Sequence, residues 1–282
     1  LPIEWVIAVV VLSFFLRSIS FFLAFLFFDC FRIRRKLMIK NIDIAFAERI
    51  SSSEKRKLAR SSLASFLETI IEFIFSRYFY PASTVRFENE EMFHRLLAEG
   101  RGVYGLALHQ GNWELLCHKG SRALAPVHMA LKPVGGPAVA SWVRATRERN
   151  GVYEIPRKGE KPAWQIIYDV LHRKEIVAFV VDQRRSKGVK VPLFGRECMT
   201  NASLFRQWRG FHSPIVPVSI RRIGLLSHEA RFWEPFEVLE NEAWSEEEFL
   251  KANATKMNRL VEEMILWNPA EYFWMHDRFK MR

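Results

Sequence analysis

"GLALHQGNWELL", residues 105–116, is the stretch that decides how the chain is read. An apolar run with strand character ends in His109. Gly111-Asn112 then supplies a turn and a helix N-cap, so Glu114 falls in the first turn of a new apolar helix. In open α/β sheets ligands collect at the carboxyl ends of strands, which is where a strand-closing histidine sits. The loop can fold His109 back against Glu114. A carboxylate on one imidazole nitrogen would fix the tautomer and leave the other nitrogen free to take a proton. The plain alternative is a strand-to-helix joint whose two titratable groups are structural.

Working outward, short apolar runs alternate with helical segments from residue 84 onward. Residues 102–109, 127–133, 175–182 and 213–222 read as strands, and 136–151 and 161–174 as helices between them. "LSHEARFWEPFEV" (226–238) holds one or two further strands, and Ser245 with Glu248 forms a capping box that opens a helix to about residue 267. Near-continuous apolar strands alternating with helices predict an α/β fold: a largely parallel central sheet flanked by helices on both faces. Before it, residues 51–79 read as one long helix with Ser52 or Ser53 as N-cap. Its apolar stripe is Leu63, Phe66, Leu67, Ile70, Ile71 and Ile74, and Pro81 with the polar run after it closes the element.

The N-terminus narrows the kind of partner. Residues 1–28 are apolar except for Glu4, Arg17 and three serines, and "FFLAFLFF" packs five phenylalanines into eight residues. The stretch predicts a membrane helix, either one tilted span with Arg17 shielded or a helix or hairpin that dips into one leaflet, and the plain alternative is a buried core helix. It is too long for a cleavable signal peptide, and the numbering is expected to begin inside a longer precursor. Residues 31–60 follow with ten Lys/Arg against three Asp/Glu. A net charge of +11 calls for an anionic partner. Basic residues beside a membrane segment mark the cytoplasmic side, and no zinc-finger, RNP or P-loop pattern supports nucleic acid, so the expected anion is lipid headgroup. The expected layout is an anchor over 1–30, a basic amphipathic helical region over 31–83 and an α/β domain over 84–282.

Much hydrolytic and transfer machinery is missing. The sequence holds no GxSxG, HExxH, Walker A or GxGxxG, and its three cysteines form no CxxC or zinc-ligand spacing, so no metal is expected. Cys117 reads as packing. A working His109 would therefore activate a substrate hydroxyl directly.

Four blocks in order carry a family resemblance. "HQGNWE" (109–114) resembles the HxxxxE block of the bacterial late lipid A acyltransferases, a branch of the lysophospholipid acyltransferase-like superfamily. "RRKLMIKNIDIAFAE" (34–48) is similar to that family's Arg-rich block, "VVDQRRSKGVKVPLFGRECMTNAS" (180–203) to its Asp-Gln…Gly…Thr segment, and "EYFWMHDRFKMR" (271–282) to its aromatic-His-x-Arg-x-Lys ending. Leu193 in place of a phenylalanine is a mild departure. Glu114 where the glycerolipid branch has Asp, and no Glu-Gly-Thr-Arg, disfavour that branch.

The resemblance implies a glycerolipid acyltransferase-like fold. It also implies acyl transfer from acyl carrier protein or coenzyme A, as co-substrate and not resident cofactor, to a hydroxyl of a lipid A precursor at the cytoplasmic face of the inner membrane. His109 would be the general base and Glu114 its orienting partner. Arg147, Asp182, Gln183, Arg184 and the helix start at Asn112 would serve binding or the transition state. Arg185, Lys187 and Lys190 would suit phosphates or an acidic carrier protein. His276, Arg278 and Lys280 match the closing block with their role open. Another glycolipid acceptor, such as a phosphatidylinositol mannoside, fits the same motifs, and a non-catalytic basic membrane-tethered module is the alternative from another class.

Overall fold

A computed structural model describes residues 3–130, 135–156 and 160–281. Helix α1 (Ile3–Phe25) runs without a break into a π-helical turn, Leu26–Cys30. It is one continuous 28-residue helix and not a re-entrant hairpin, and with a mean hydropathy of 2.4 in an 18-residue window it is a candidate membrane span. Residues 1 and 2 of the expected segment lie outside the described residues. Next come α2 (Arg35–Phe46), α3 (Ser52–Ile74) and α4 (Ser76–Ala82).

Two details of this helical region differ from the sequence reading. Ser51, one residue earlier than expected, is the N-cap of α3: its hydroxyl accepts from the Glu54 amide and its own amide donates to the Glu54 carboxylate, a capping box. The long helix breaks at Phe75, so that Pro81 sits in the last turn of α4 and does not terminate α3. The buried face of α3 is small and polar, including Ser62, Ser65, Glu68, Thr69 and Glu72, whereas Ile70 and Ile74 of the expected core stripe are exposed. The stripe has the right period. Its N-terminal half faces inward as expected, with Leu63 buried and Phe66 and Leu67 packed on the core, while farther along the inward face is polar because it meets the turn at Gly111 and the C-terminal segment.

The α/β part continues as β1 (Thr84–Glu88), α5 (Glu90–Ala98), β2 (Val103–Ala107), α6 (Trp113–Ala123), β3 (Val127–Met129), α7 (Pro137–Arg149), β4 (Val152–Glu154), α8 (Ala163–His172) and β5 (Ile176–Val180). Then follow β6 (Val189–Leu193), β7 (Arg196–Thr200), α9 (Ser203–Gly210), β8 (Ile215–Gly224), β9 (Ser227–Phe232) and α10 (Glu246–Trp267). The seven-stranded sheet has the order β1-β9-β8-β2-β5-β3-β4, and every pair is parallel except β8–β9. The α/β sheet is thus as expected, with one antiparallel hairpin at β8–β9. The strand read over 127–133 ends at Met129, and residues 131–133 lie outside the described residues.

The hairpin β6–β7, which packs against α10, is absent from the expected strands, although Val189, Val191 and Leu193 alternate with Lys190 and Pro192. β1 and the first two residues of α5 lie in the polar run expected to close the long helix. All five residues of β2 are buried, as a central parallel strand requires. One apolar cluster runs from Phe28 and Met38 through Leu63 to Tyr104, Val177 and Met264, so side chains from all three expected regions share a core.

Candidate active site

Parallel pairing of β2 with β5 sets the site. Ala107 stands opposite Val180, and continuing that register by two residues past both strand ends brings residue 109 to residue 182. The Asp182 carboxylate receives the His109 backbone N–H at 3.0 Å, and its other oxygen lies 2.8 Å from Nδ1 of the ring. Asp182 is 3% exposed and the His109 side chain 21%, so the carboxylate is sealed while the ring keeps an open edge. Nε2 faces outward, 3.4 Å from the Gln183 side-chain amide. Trp113, at a centroid distance of 5.2 Å, and Phe273, at 6.2 Å, wall the ring.

The electrostatics follow from this geometry. Burial opposes charge on Asp182, but the attraction of His109 and the hydrogen bonds from its ring and backbone outweigh it and lower the aspartate below its ordinary value. Burial likewise opposes the imidazolium. Asp182, with a smaller contribution from Glu114, overcomes it and raises His109 above the usual histidine value.

The expected His109–Glu114 hydrogen bond is not made. Both Glu114 oxygens are held by Arg147, at 3.1 Å through Nε and 2.6 Å through an Nη, and Arg147 also reaches Glu154 at 3.0 Å. The reason is direction: the first turn of α6 points Glu114 toward α7, while the partner of a strand-end residue comes from the adjacent strand. Burial works against the Arg147 charge, but the bonds to Glu114 and Glu154 raise its pKa overall. Arg147 is thereby joined to Glu114, and Glu154 is a member of this group that sequence reading missed.

Asn112 is fully buried. Its side-chain oxygen accepts from the Leu115 amide at 2.9 Å, and its amide donates to Glu72. That makes it the N-cap of α6, as expected, with its side chain engaged in holding the turn. Gly111 has φ of +59°, and a Cβ there would fall inside the Ile220 carbonyl oxygen, so this turn needs glycine. Below the turn, Arg222 binds Glu72 at 2.8 Å and Glu68 at 3.3 Å. Glu68, desolvated and next to Glu72, is raised to about 6 despite Arg222. The turn is also sutured to the C-terminal segment: Gln110 donates to the Met264 carbonyl at 3.0 Å, and the Phe273 amide donates to the His109 carbonyl at 2.9 Å.

The closing block has a structural part. Asn41 of α2 donates to the Trp274 and His276 carbonyls at 2.9 and 2.8 Å, which joins the first block to the last. Burial lowers the His276 pKa, and its Nε2 accepts the Arg184 amide at 2.9 Å. Arg278 donates to Met199 and Thr200 at 2.7 and 2.8 Å, and Lys280 is exposed. On the loop that Asp182 begins, Gln183 stands beside His109 and the Arg184 amide beside His276; Lys187 lies farther along it, and Lys190 is in β6, paired with Glu197. Burial pushes the Cys117 thiol up to about 12, which suits packing and not nucleophilic attack.

The model of a known family, described as bacterial lipid A biosynthesis acyltransferase, matches residues 3–281. Two curated relatives are each 25% identical over 260 residues, covering 88% of this chain and 79% of their own length. They are a lipid A biosynthesis palmitoleoyltransferase of Escherichia coli strain K12 and a lipid A biosynthesis acyltransferase of Shigella flexneri. With a match of that extent, this chain belongs to the bacterial lipid A biosynthesis acyltransferase family and is an acyltransferase of lipid A biosynthesis.

Proposed function

We propose that this protein, bound to the inner membrane with its site on the cytoplasmic face, moves a fatty acyl group from a thioester of acyl carrier protein or coenzyme A to a hydroxyl of a lipid A precursor. The observation that carries the mechanism is the His109–Asp182 pair with Nε2 left open. Asp182 accepts Nδ1–H, so Nε2 presents its lone pair to the acceptor hydroxyl. As that hydroxyl attacks the thioester carbonyl, its proton passes to Nε2. The tetrahedral intermediate collapses with loss of thiolate, which takes the proton from the imidazolium. The acyl group moves directly, with no covalent enzyme intermediate.

The tetrahedral oxyanion requires donors, and the Trp113 and Glu114 N–H groups that open α6 lack intrahelical acceptors, whereas that of Leu115 is taken by Asn112. Glu114 adds negative charge that favours the imidazolium without touching it, and Arg147 holds it there. The Gln183 amide and the Arg184 backbone are placed to shape the mouth of the site.

Transfer of a labelled acyl group from acyl carrier protein to a purified lipid A precursor tests this reading. His109→Ala is expected to lose 10²-fold or more with folding intact, the scale of general-base catalysis. Undiminished transfer by that variant would reject the mechanism. The anchoring claim fails if the protein stays in the soluble fraction at low salt with residues 3–30 intact.

A further inference from the structure

A groove of about 1370 Å³ opens between the start of α2, the start of α3 and the tip of the β6–β7 hairpin. Eight cations line it against one carboxylate, Asp43, which Lys55 already holds at 2.6 Å. Among the described residues, Arg32, Arg35, Lys40, Arg56 and Arg196 of this lining form no ion pair. Like charges gathered around a concave space repel one another unless an anion shares it. Arg32 and Arg34 are also held at φ of 53° and 51°, a conformation that costs about 1 kcal/mol or more for a residue with a Cβ, and the fold keeps both arginines there.

Two placements say which anion fits. The groove begins at Arg32, two residues after the apolar segment ends at Cys30, so a bilayer around that segment brings its headgroup layer to the groove. The opposite wall, Phe194 to Arg196, comes from a hairpin far along the chain. Phe194 also lines a small cavity with Asn41, Phe273 and His276, and Phe273 lies against the His109 ring. The groove and the catalytic histidine thus stand on either side of one C-terminal segment.

We propose that this groove is a recognition site for the phosphate of a phosphorylated membrane-lipid headgroup, with arginines of α2 and α3 on one side and Arg196 on the other. Several forked guanidiniums around one space suit phosphate oxygens better than a diffuse surface charge does. The inference rests on the reading that the Ile3–Cys30 segment enters the bilayer. It does not depend on acyl transfer.

The test uses the full chain in non-ionic detergent, titrated with phosphatidic acid, phosphatidylglycerol, phosphatidylcholine or inorganic phosphate, with thermal unfolding as the readout. Phosphatidic acid is expected to stabilise the protein at a concentration at least tenfold lower than phosphatidylcholine, with the effect weakening as salt rises. Each cation removed is expected to weaken it roughly fivefold. That predicts about 100-fold for Arg35→Gln/Lys40→Gln/Arg56→Gln, and about fivefold for Arg196→Gln, an exposed hairpin position whose change spares the core. His109→Ala is expected to bind as wild type, which separates this site from the acyltransferase mechanism. Equal stabilisation by phosphatidylcholine, or wild-type titration by Arg196→Gln and the triple variant, would overturn the proposal. Inorganic phosphate acting as strongly as the lipid would overturn the headgroup assignment.

Discussion

In the proposed mechanism Asp182 is the residue that fixes which nitrogen of His109 carries the proton, through its contact with Nδ1. Replacing it with Asn keeps the shape and removes the charge. We expect Asp182→Asn to cost 10²–10⁴-fold in kcat/KM, comparable to losing a general base. The pH profile supplies a second readout. A base works only when neutral, so activity should fall as pH drops through the His109 pKa, which Asp182 raises. In Asp182→Asn that acidic limb should move to lower pH, and a limb that stays put would show that Asp182 does not charge-couple to the base. Gly111→Ala asks a backbone question. A side chain at φ +59° against the Ile220 carbonyl should destabilise by about 3 kcal/mol, seen in denaturant unfolding, and should displace the histidine beside it.

At the scale of elements, the Glu114–Arg147–Glu154 group is a joint. It ties the first turn of α6 to the last turn of α7 and the end of β4, with Arg147 only 10% exposed. Removing the cation leaves two carboxylates facing each other with little solvent. Arg147→Met is therefore predicted to cost about 3–5 kcal/mol, measured by chemical denaturation. Arg147→Lys should recover only part of it, since an ammonium cannot make the bidentate contact. The α3 capping box is a smaller matter. Ser51→Ala should cost about 1 kcal/mol, and Ser52→Ala close to nothing, which distinguishes the observed cap from the neighbouring serine.

Across the whole molecule, α1 is more than a tether. It packs along α3, and the Arg17 charge lies within electrostatic reach of Glu68 and Glu271, beneath the active-site turn. A charged residue in an apolar helix is costly unless it faces a partner, and two carboxylates on the protein side meet that need. Deleting residues 3–25 should therefore lower the melting temperature as well as alter partitioning. An unchanged melting temperature in the truncated protein would show that the α1–α3 contact contributes nothing to stability.

The sequence by itself determined what short-range chemistry controls. Alternating apolar runs announced an α/β sheet, Gly111-Asn112 announced a turn and cap, Ser245 with Glu248 announced a helix start, and the blocks around His109, Asp182 and the C-terminus carried the family. Residue spacing also pointed to His109 as a strand-end group. It pointed to the wrong carboxylate, since Glu114 is near in sequence while Asp182 is near in space. Only the tertiary structure decided that pairing, and likewise the polar inward face in the second half of α3, the pairing of β6 with β7 and the joining of Asn41 to His276. Neighbours along the chain are set by local geometry. Neighbours across parallel strands are set by which strands share a sheet, and the 73 residues separating His109 from Asp182 close into contact only when β2 and β5 lie side by side.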